Sequence, residues 1–419
     1  MLRYARDVSG RRRRCDPMLA GPWRGVCSTM ACRFLETLTL ASLIAPASED
    51  EFRARFWETK PLIVHRNDPD YYDDLFTLQD FDDALMRGPA HARVANDVAT
   101  QQLAQHLGGT TPALDALFAG MQNGFGLVLD QLHSRDPKLG LLCRSLAPEF
   151  GHQLATNVYL TPPEGKGLGA RWDNREVFIL QAVGSRVWHI ETKRRVFPGR
   201  GDSMGEEGRE LRGEFNTVTL KQGDLIYIPR GFVYDAECGA EVSLHIMLGV
   251  QTAFFDELLH AAIKKMAYLD PRLRVALPLG FMQGRQEGVV KRAMAAFLAT
   301  ADEGFLSTVV DQYRDELVQN FQLDISGQVV EFFNPNPLTL DDIAGPRRGN
   351  VYRIHHGGDT VRLSFGARNF EFRGVFQESV EFALNTPAYA VREIKGDIQD
   401  EERVALVELL IQAGLVVRK

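Results

Sequence analysis

The stretch Gly167–Trp188, with the sequence GLGARWDNREVFILQAVGSRVW, decides how the middle of this chain folds. Its unbroken apolar run Val177–Leu180 is typical of a strand that is buried on both faces. Gly184-Ser185 then predicts a tight hairpin connection to a second strand. Because Asp173 stands at the entry to this hairpin, any reaction centre in the chain is expected there.

Five further stretches in the middle of the chain share short length, β-forming residues and turn signals at their ends. They are Asn157–Thr161, Thr217–Leu220, Leu225–Ile228, Phe232–Asp235 and Val242–Gly249. Many short strands between residues 153 and 252 predict an antiparallel barrel or double sheet.

Helical patterns lie on both sides of this β-rich centre. The segments before it predict two short helices, a strand and a longer helical stretch, which together form a cap: Leu35–Ile44, Glu49–Trp57, Lys60–His65 and Ala113–Leu146. The segments directly after it have helical spacing: Phe254–Ala267, Val289–Phe297 and Phe305–Leu317.

The last hundred residues change pattern again. Four stretches there have the composition of β-strands: Val330–Phe333, Asn350–His355, Thr360–Phe365 and Asn369–Phe372. An amphipathic helix, Glu401–Ala413, follows and ends at Gly414. We therefore predict an α+β fold with a β-rich domain at 34–252, a helical region at 253–320 and a mixed domain at 321–419.

Composition and charge exclude several classes of protein. The chain has 45% apolar and 25% charged residues and a net charge of -7, which offers no general attraction to nucleic acid or anionic membranes. No apolar run approaches the roughly 20 residues of a membrane span. The five cysteines form no CxxC pair, so we expect neither a zinc site nor a disulfide framework, and a reducing cytoplasm as the compartment.

The first 33 residues do not follow the pattern of the rest. Arg11–Arg14 is a basic run without an apolar core after it, which argues against a signal peptide. We expect residues 1–33 to be a disordered tail, or to precede a true start at Met18 or Met30. An arginine-rich arm that binds nucleic acid is the alternative.

Four pieces of the central segment, in this order, carry a resemblance to a known family: Asn157–Pro163 (NVYLTPP), Asp173–Trp188 (DNREVFILQAVGSRVW), Gly223–Phe232 (GDLIYIPRGF) and Ser243–Val250 (SLHIMLGV). The segment resembles JmjC-type oxygenases, whose barrel is a double-stranded β-helix of the cupin type, and is most similar to their bacterial ribosomal-oxygenase-like subgroup. The resemblance implies a helical cap before the barrel, then a helical dimerisation region and a C-terminal winged-helix-like domain.

The family implies an iron site from which this sequence departs. Its members hold Fe(II) with two histidines and one carboxylate and leave positions open for 2-oxoglutarate and O₂. The resemblance places the histidines at Arg171 and Tyr234 and the carboxylate at Asp173. Arginine has no lone pair for a metal, and a phenol ionises only at about pH 10. We therefore expect a degenerate site in which Arg171 and Asp173 form an internal ion pair.

The residues that would hold the co-substrate are better preserved. Arg186 stands where the family places a cation that pairs with the distal carboxylate of 2-oxoglutarate, and Tyr159, His245 and Asn157 match positions that hydrogen-bond to it. Structural roles stay open as alternatives: a surface cation for Arg186, and satisfied polar residues inside the barrel for Tyr159 and His245. A rebuilt metal site is a further alternative, from His245, Asp173 and Tyr234 with Asp235.

Two functions remain open at this point. The first is a JmjC-fold binding or regulatory module, a homodimer without oxidative turnover, which keeps an acid pocket for 2-oxoglutarate or a similar ligand. The second is an active Fe(II)/2-oxoglutarate-dependent hydroxylase whose protein or peptide substrate enters the barrel mouth. Loss of both histidines favours the first. The mixed charges of the C-terminal region argue against nucleic-acid binding.

Overall fold

Small helices and three short strands precede the barrel and cover one face of it. The computed structural model describes residues 34–88, 91–95, 114–165, 167–203, 213–283 and 287–419, so the predicted tail at 1–33 lies outside the described residues. The elements before the barrel are α1 (Leu40–Ile44), α2 (Glu49–Glu51), β1 (Leu62–Val64), α3 (Leu78–Arg87), β2 (Ala92–Val94), α4 (Leu114–Gln122), β3 (Leu127–Leu129) and α5 (Pro137–Phe150).

Two antiparallel sheets form the barrel. Its strands are β4 (Gln153–Thr161), β5 (Glu176–Val183), β6 (Ser185–Glu191), β7 (Phe215–Lys221), β8 (Leu225–Ile228), β9 (Tyr234–Cys238) and β10 (Ser243–Gln251). The larger sheet has the order β1-β8-β5-β10-β4-β3-β2, and the smaller sheet has the order β7-β6-β9. The predicted antiparallel double sheet is confirmed.

Strand β5 contributes to two cores because successive side chains of a strand point to opposite faces. Phe178 and Leu180 pack against the helical cap, whereas Val177 and Ile179 face the barrel interior together with Trp188. The four β5 side chains are at most 1% exposed, so the strand is buried on both faces as its apolar run predicts.

The hairpin between β5 and β6 depends on Gly184. Its φ of +66° lies in the left-handed region, and a Cβ at this position would lie 1.9 Å from the main-chain oxygen of Val242. Only glycine meets both conditions without strain. The hairpin predicted from Gly184-Ser185 is therefore confirmed, and it places Arg186 at the start of β6.

The prediction of continuous helical spacing over Ala113–Leu146 is wrong in its middle. Helix α4 ends at Gln122, Gly124 turns the chain with a φ of +80°, and β3 then pairs with β4. Every side chain of Leu127–Leu129 is buried, so an apolar run there fits a strand as well as a helix.

Helices and two small sheets follow the barrel. The elements are α6 (Phe255–Leu269), α7 (Glu287–Thr300), α8 (Glu303–Gln319), α9 (Gln328–Phe332), β11 (Ile343–Pro346), β12 (Tyr352–Gly357), β13 (Thr360–Phe365), β14 (Arg368–Arg373), α10 (Gln377–Asn385), β15 (Tyr389–Ala390), α11 (Asp400–Gln412) and β16 (Val416–Arg418). A separate hydrophobic core lies among the elements from β11 onward. The domain boundaries and the winged-helix assignment stay predictions.

The strand predicted at Val330–Phe333 is wrong, because these residues belong to α9 and its C-terminal end. Gly327 adopts a left-handed φ of +77° and its carbonyl accepts a hydrogen bond from the Glu331 amide at 3.0 Å, which closes a helical turn. Local β-propensity loses here because no neighbouring strand pairs with these described residues.

Within the described ranges no single helix has the length and apolar character needed to cross a membrane. One pair of helical segments, Gly288–Thr300 with Glu303–Gln319, meets those two criteria jointly and is bent by 96° between its members.

Candidate active site

The segment before β5 is attached to β9 across the barrel, and this brings the predicted ligand positions together. Arg171 and Tyr234 exchange both main-chain hydrogen bonds, each at 2.9 Å. The amide of Gly231 donates to the carbonyl of Asp173 at 3.0 Å. The two positions that resemble histidine ligands are thus direct cross-strand neighbours, and the carboxylate position lies beside them.

The carboxylate of Asp173 is engaged by Tyr234, whose hydroxyl donates a hydrogen bond to Oδ2. This corrects the expected ion pair: no Arg171–Asp173 salt bridge is found in the described part of the chain, and Arg171 acts on Asp173 only at longer range. The physical reason is the antiparallel bridge, which holds the phenol opposite Asp173 and gives the carboxylate a neutral donor.

Arg171 lies between two aromatic rings instead. Its guanidinium carbon is 5.9 Å from the ring centre of Tyr159 and 5.8 Å from that of Tyr234, within the range of cation–π contacts, and Nη2 is 3.5 Å from the Tyr159 hydroxyl. Desolvation alone would lower the pKa of Arg171, but Tyr234, Tyr159 and Asp173 outweigh it and hold that pKa well above its usual value. The side chain is therefore a permanent cation inside the barrel.

Arg186 is buried, so its alternative role as a surface cation is wrong. Its side chain is 5% exposed; Nη1 donates to Thr161 Oγ1 at 2.6 Å and Nη2 donates to the Ala236 carbonyl at 3.3 Å. Its guanidinium carbon lies 5.6 Å from the ring centre of Trp188. Desolvation, with a smaller effect of Arg171, lowers the pKa of Arg186 to about 10, so it stays charged at neutral pH.

Tyr159 and His245 lie side by side on paired strands. Their rings stack at 4.8 Å with an interplanar angle of 1°, and Trp188 meets His245 edge-on at 5.4 Å. Desolvation, reinforced by the charges of Arg186 and Arg171, lowers the pKa of His245 well below its usual value. His245 is therefore neutral at physiological pH, and its Nδ1 is buried without a hydrogen-bond partner.

One cavity of about 30 Å³ collects most of the predicted residues. Tyr159, Arg171, Arg186, Tyr234 and His245 all line it. Asn157 does not: it lies on the same strand as Tyr159, but its Oδ1 accepts a hydrogen bond from the Gln131 amide at 2.8 Å. That prediction is wrong because the turn at Gln131, with a left-handed φ of +49°, uses the amide side chain as its partner.

Three cavity residues escape prediction from the sequence. Thr161 holds Arg186, Trp188 packs on it, and Gly167 covers it. Thr161 lies two residues after Tyr159 and Trp188 two residues after Arg186, and residues i and i+2 of a strand share a face, so this spacing could have identified both. Gly167 has no comparable signal, because its contact is made by a loop.

Comparisons with known proteins agree with this geometry. Residues 140–258 match the JmjC domain. Ribosomal oxygenase 1 of Gallus gallus is 27% identical over 90% of this chain and 71% of its own length, and that of Rattus norvegicus is 32% identical over 57% and 42%. The solved structure of YcfD, a ribosomal oxygenase from Escherichia coli, in complex with cobalt and 2-oxoglutarate, covers 89% of this chain and 99% of its own with a TM-score of 0.52 and 15% identity. The chain carries a JmjC domain of the ribosomal-oxygenase-like family.

The iron that JmjC oxygenases use does not fit the donor set of this JmjC domain. Arg171 offers no lone pair. Burial and the Asp173 carboxylate raise the pKa of Tyr234 well above its usual value, so the phenol stays protonated and donates to that carboxylate instead of binding a metal. Across the ranges that the structure describes, no group of three His, Cys, Asp or Glu side chains could hold a metal ion, the predicted set with His245 and Asp235 included.

Proposed function

We propose that this protein is a non-catalytic member of the JmjC oxygenase fold, a binding or regulatory module that performs no iron-dependent turnover. The observation that carries the proposal is the hydrogen bond from Tyr234 to Asp173, with Arg171 beside them. All three positions that resemble iron ligands are committed to one another.

The cost of undoing this arrangement supports the proposal. A metal at Asp173 would have to displace a hydroxyl donor from a carboxylate and approach a permanent guanidinium charge in a nearly closed cavity. Like charges in a medium of low dielectric constant repel strongly, and Arg171 cannot lose its proton to relieve the repulsion. The site is therefore satisfied electrostatically without a metal.

The second candidate function, an active 2-oxoglutarate-dependent hydroxylase of a protein or peptide side chain, is favoured by one observation. Tyr159, Arg186 and His245 still line a common cavity. Relatives named as histidyl-hydroxylases, such as that of Culex quinquefasciatus at 25% identity, are the source of this candidate. It requires a metal set that the described residues do not supply.

We further propose that the protein is a homodimer through its helical region. Phe255, Leu259 and Ile263 follow one another at intervals of four along α6 and are 87%, 56% and 50% exposed. Val290 and Met294 on α7 repeat the spacing and are 58% and 60% exposed. Apolar stripes of this kind on neighbouring helices are typical of a surface that a partner covers.

The test of the function compares the wild type with a double replacement. Conversion of 2-oxoglutarate to succinate, with Fe(II) and O₂ supplied, is measured for the wild type, Arg171→His, Tyr234→His and the double variant. We expect turnover only in the double variant, because only it restores two imidazoles beside Asp173. The single variants are the matched controls, and turnover by the wild type that is lost in Asp173→Ala would refute the proposal.

A further inference from the structure

We propose that the cavity between Arg171 and Arg186 binds a short carboxylate without any metal, with the two guanidinium groups as its counter-charges. The inference rests on the proposed function, since it requires Arg171 to stand in place of iron. It goes further by assigning the class of ligand and by removing the requirement for a 2-oxo group.

The first argument is the charge of Arg186. Its side chain is 5% exposed and its Nη atoms reach only neutral oxygens, while Nε is buried without a hydrogen-bond partner. No Asp or Glu side chain of the described ranges forms a salt bridge with it. A buried charge without a counter-charge is unfavourable by several kcal/mol, so a bound anion at Nε would stabilise this arrangement.

The second argument is that Arg171 adds another positive charge to the same cavity. Its nearest acid, Asp173, is already engaged by Tyr234. Asp235 also borders the cavity, but it alternates with the inward-facing Tyr234 along β9, and its Oδ1 accepts a hydrogen bond from the Ala236 amide at 2.7 Å. Two cations therefore face the cavity, and the nearby carboxylates are directed elsewhere.

The third argument is the unpartnered donor on the opposite wall. Nδ1 of His245 is buried without a partner, and the stacked Tyr159 ring fixes the orientation of the imidazole. A neutral imidazole carries one N–H, which can be placed on either nitrogen. An oxyanion in the cavity would thus accept hydrogen bonds from a guanidinium on one side and from an imidazole on the other.

The size of the cavity selects a carboxylate headgroup. One water needs roughly 10–15 Å³ of such space, so the 30 Å³ here suits a group of a few atoms and not an entire five-carbon diacid. Gly167 forms one wall: a Cβ on it would lie 2.6 Å from the Ala236 oxygen and 2.9 Å from Nη2 of Arg186. The rest of a longer ligand would have to extend along this glycine loop toward the barrel mouth.

The lack of metal chelation predicts an unusual selectivity. A 2-oxo acid is distinguished from a plain acid chiefly by chelation of a metal through its carbonyl and carboxylate oxygens. A guanidinium recognises only the carboxylate, as a two-pronged hydrogen-bond partner. Succinate should therefore bind as well as 2-oxoglutarate.

Calorimetric titration in EDTA tests the inference with acetate, succinate, 2-oxoglutarate and inorganic phosphate as the probes. We expect the carboxylates to bind, succinate and 2-oxoglutarate with affinities that agree within about threefold, which is under 1 kcal/mol. Arg186→Met should weaken binding at least about tenfold, and Arg171→Met should weaken it as well. Arg53→Met is the control, because this arginine is exposed and pairs with Glu49 far from the barrel interior.

The outcomes separate the inference from the proposed function. Arg186→Lys, which keeps the charge but not the planar fork, guards against a folding defect in the methionine variant, and it too should weaken binding. No binding by metal-free wild type, or stronger binding of phosphate than of any carboxylate, would overturn the inference alone. Binding of 2-oxoglutarate only after Fe(II) or Mn(II) is added would overturn both.

Discussion

Replacement of Tyr234 by phenylalanine tests the interaction that occupies the carboxylate of the site. The change deletes the hydroxyl that donates to Asp173 and keeps the ring that packs on Trp188 at 5.8 Å. A hydrogen bond to a charged group contributes about 1.5–3 kcal/mol to stability. Because Asp173 is only half-buried, water can solvate its carboxylate in the variant. We therefore expect the lower part of that range, a loss of about 1.5–2 kcal/mol.

Urea unfolding in EDTA at neutral pH, followed by tryptophan fluorescence, measures this loss. Tyr159→Phe is the matched control: it removes a hydroxyl from the same barrel interior, but one whose contacts are long, 3.5 Å to Arg171 and 3.7 Å to the sulfur of Met247. We expect it to cost less than about 0.5 kcal/mol. Equal losses in the two variants, or none in Tyr234→Phe, would refute the assigned role of the Tyr234–Asp173 bond.

Three further predictions concern the fold, its pH dependence and its assembly. Gly184→Ala should lower the melting temperature more than Gly151→Ala, because both have a left-handed φ (+66° and +65°) but only at Gly184 would the new Cβ meet main chain at 1.9 Å; equal shifts would contradict this. Desolvation raises the pKa of Glu176 from 4.5 to about 7, so its contribution to stability, full below 4.5, is lost as the pH rises through 7. Urea unfolding at about pH 5 and pH 8 should therefore show Glu176→Gln gaining on the wild type at the higher pH, and a constant difference would count against the assigned burial. Light scattering should show Leu259→Asp on α6 as a monomer while Leu78→Asp on the cap stays dimeric; an unchanged mass for Leu259→Asp would exclude this helix from the interface.

The barrel could be predicted because its sequence signals agree with one another. The apolar run Val177–Leu180, the Gly184-Ser185 turn and the β8 stretch Leu225–Ile228 each have one consistent interpretation, and the structure places them accordingly. Leu127–Leu129 and Val330–Phe333 were ambiguous because short apolar runs fit a strand or a helix equally well. In both cases contacts with segments distant in the sequence, or a left-handed glycine, decided the outcome.

The candidate site was predictable in its members but not in its bonds. Tyr159, Arg186 and His245 could be named from the family resemblance and line the cavity as expected. The partner of Asp173 could not be named, because Tyr234 is 61 residues away and meets it only through the antiparallel bridge at Arg171. Proximity in sequence favoured Arg171, but the register of the strands favoured the phenol.

The central claim, that Arg171 and Tyr234 have replaced the metal ligands, is tested most directly by titration with Mn(II) under conditions where free Mn(II) is counted by electron paramagnetic resonance. The wild type should leave all added Mn(II) free, whereas the Arg171→His, Tyr234→His double variant should bind one ion per chain, since two imidazoles and Asp173 then form a complete set. Stoichiometric binding by the wild type that disappears in Asp173→Ala would contradict the claim.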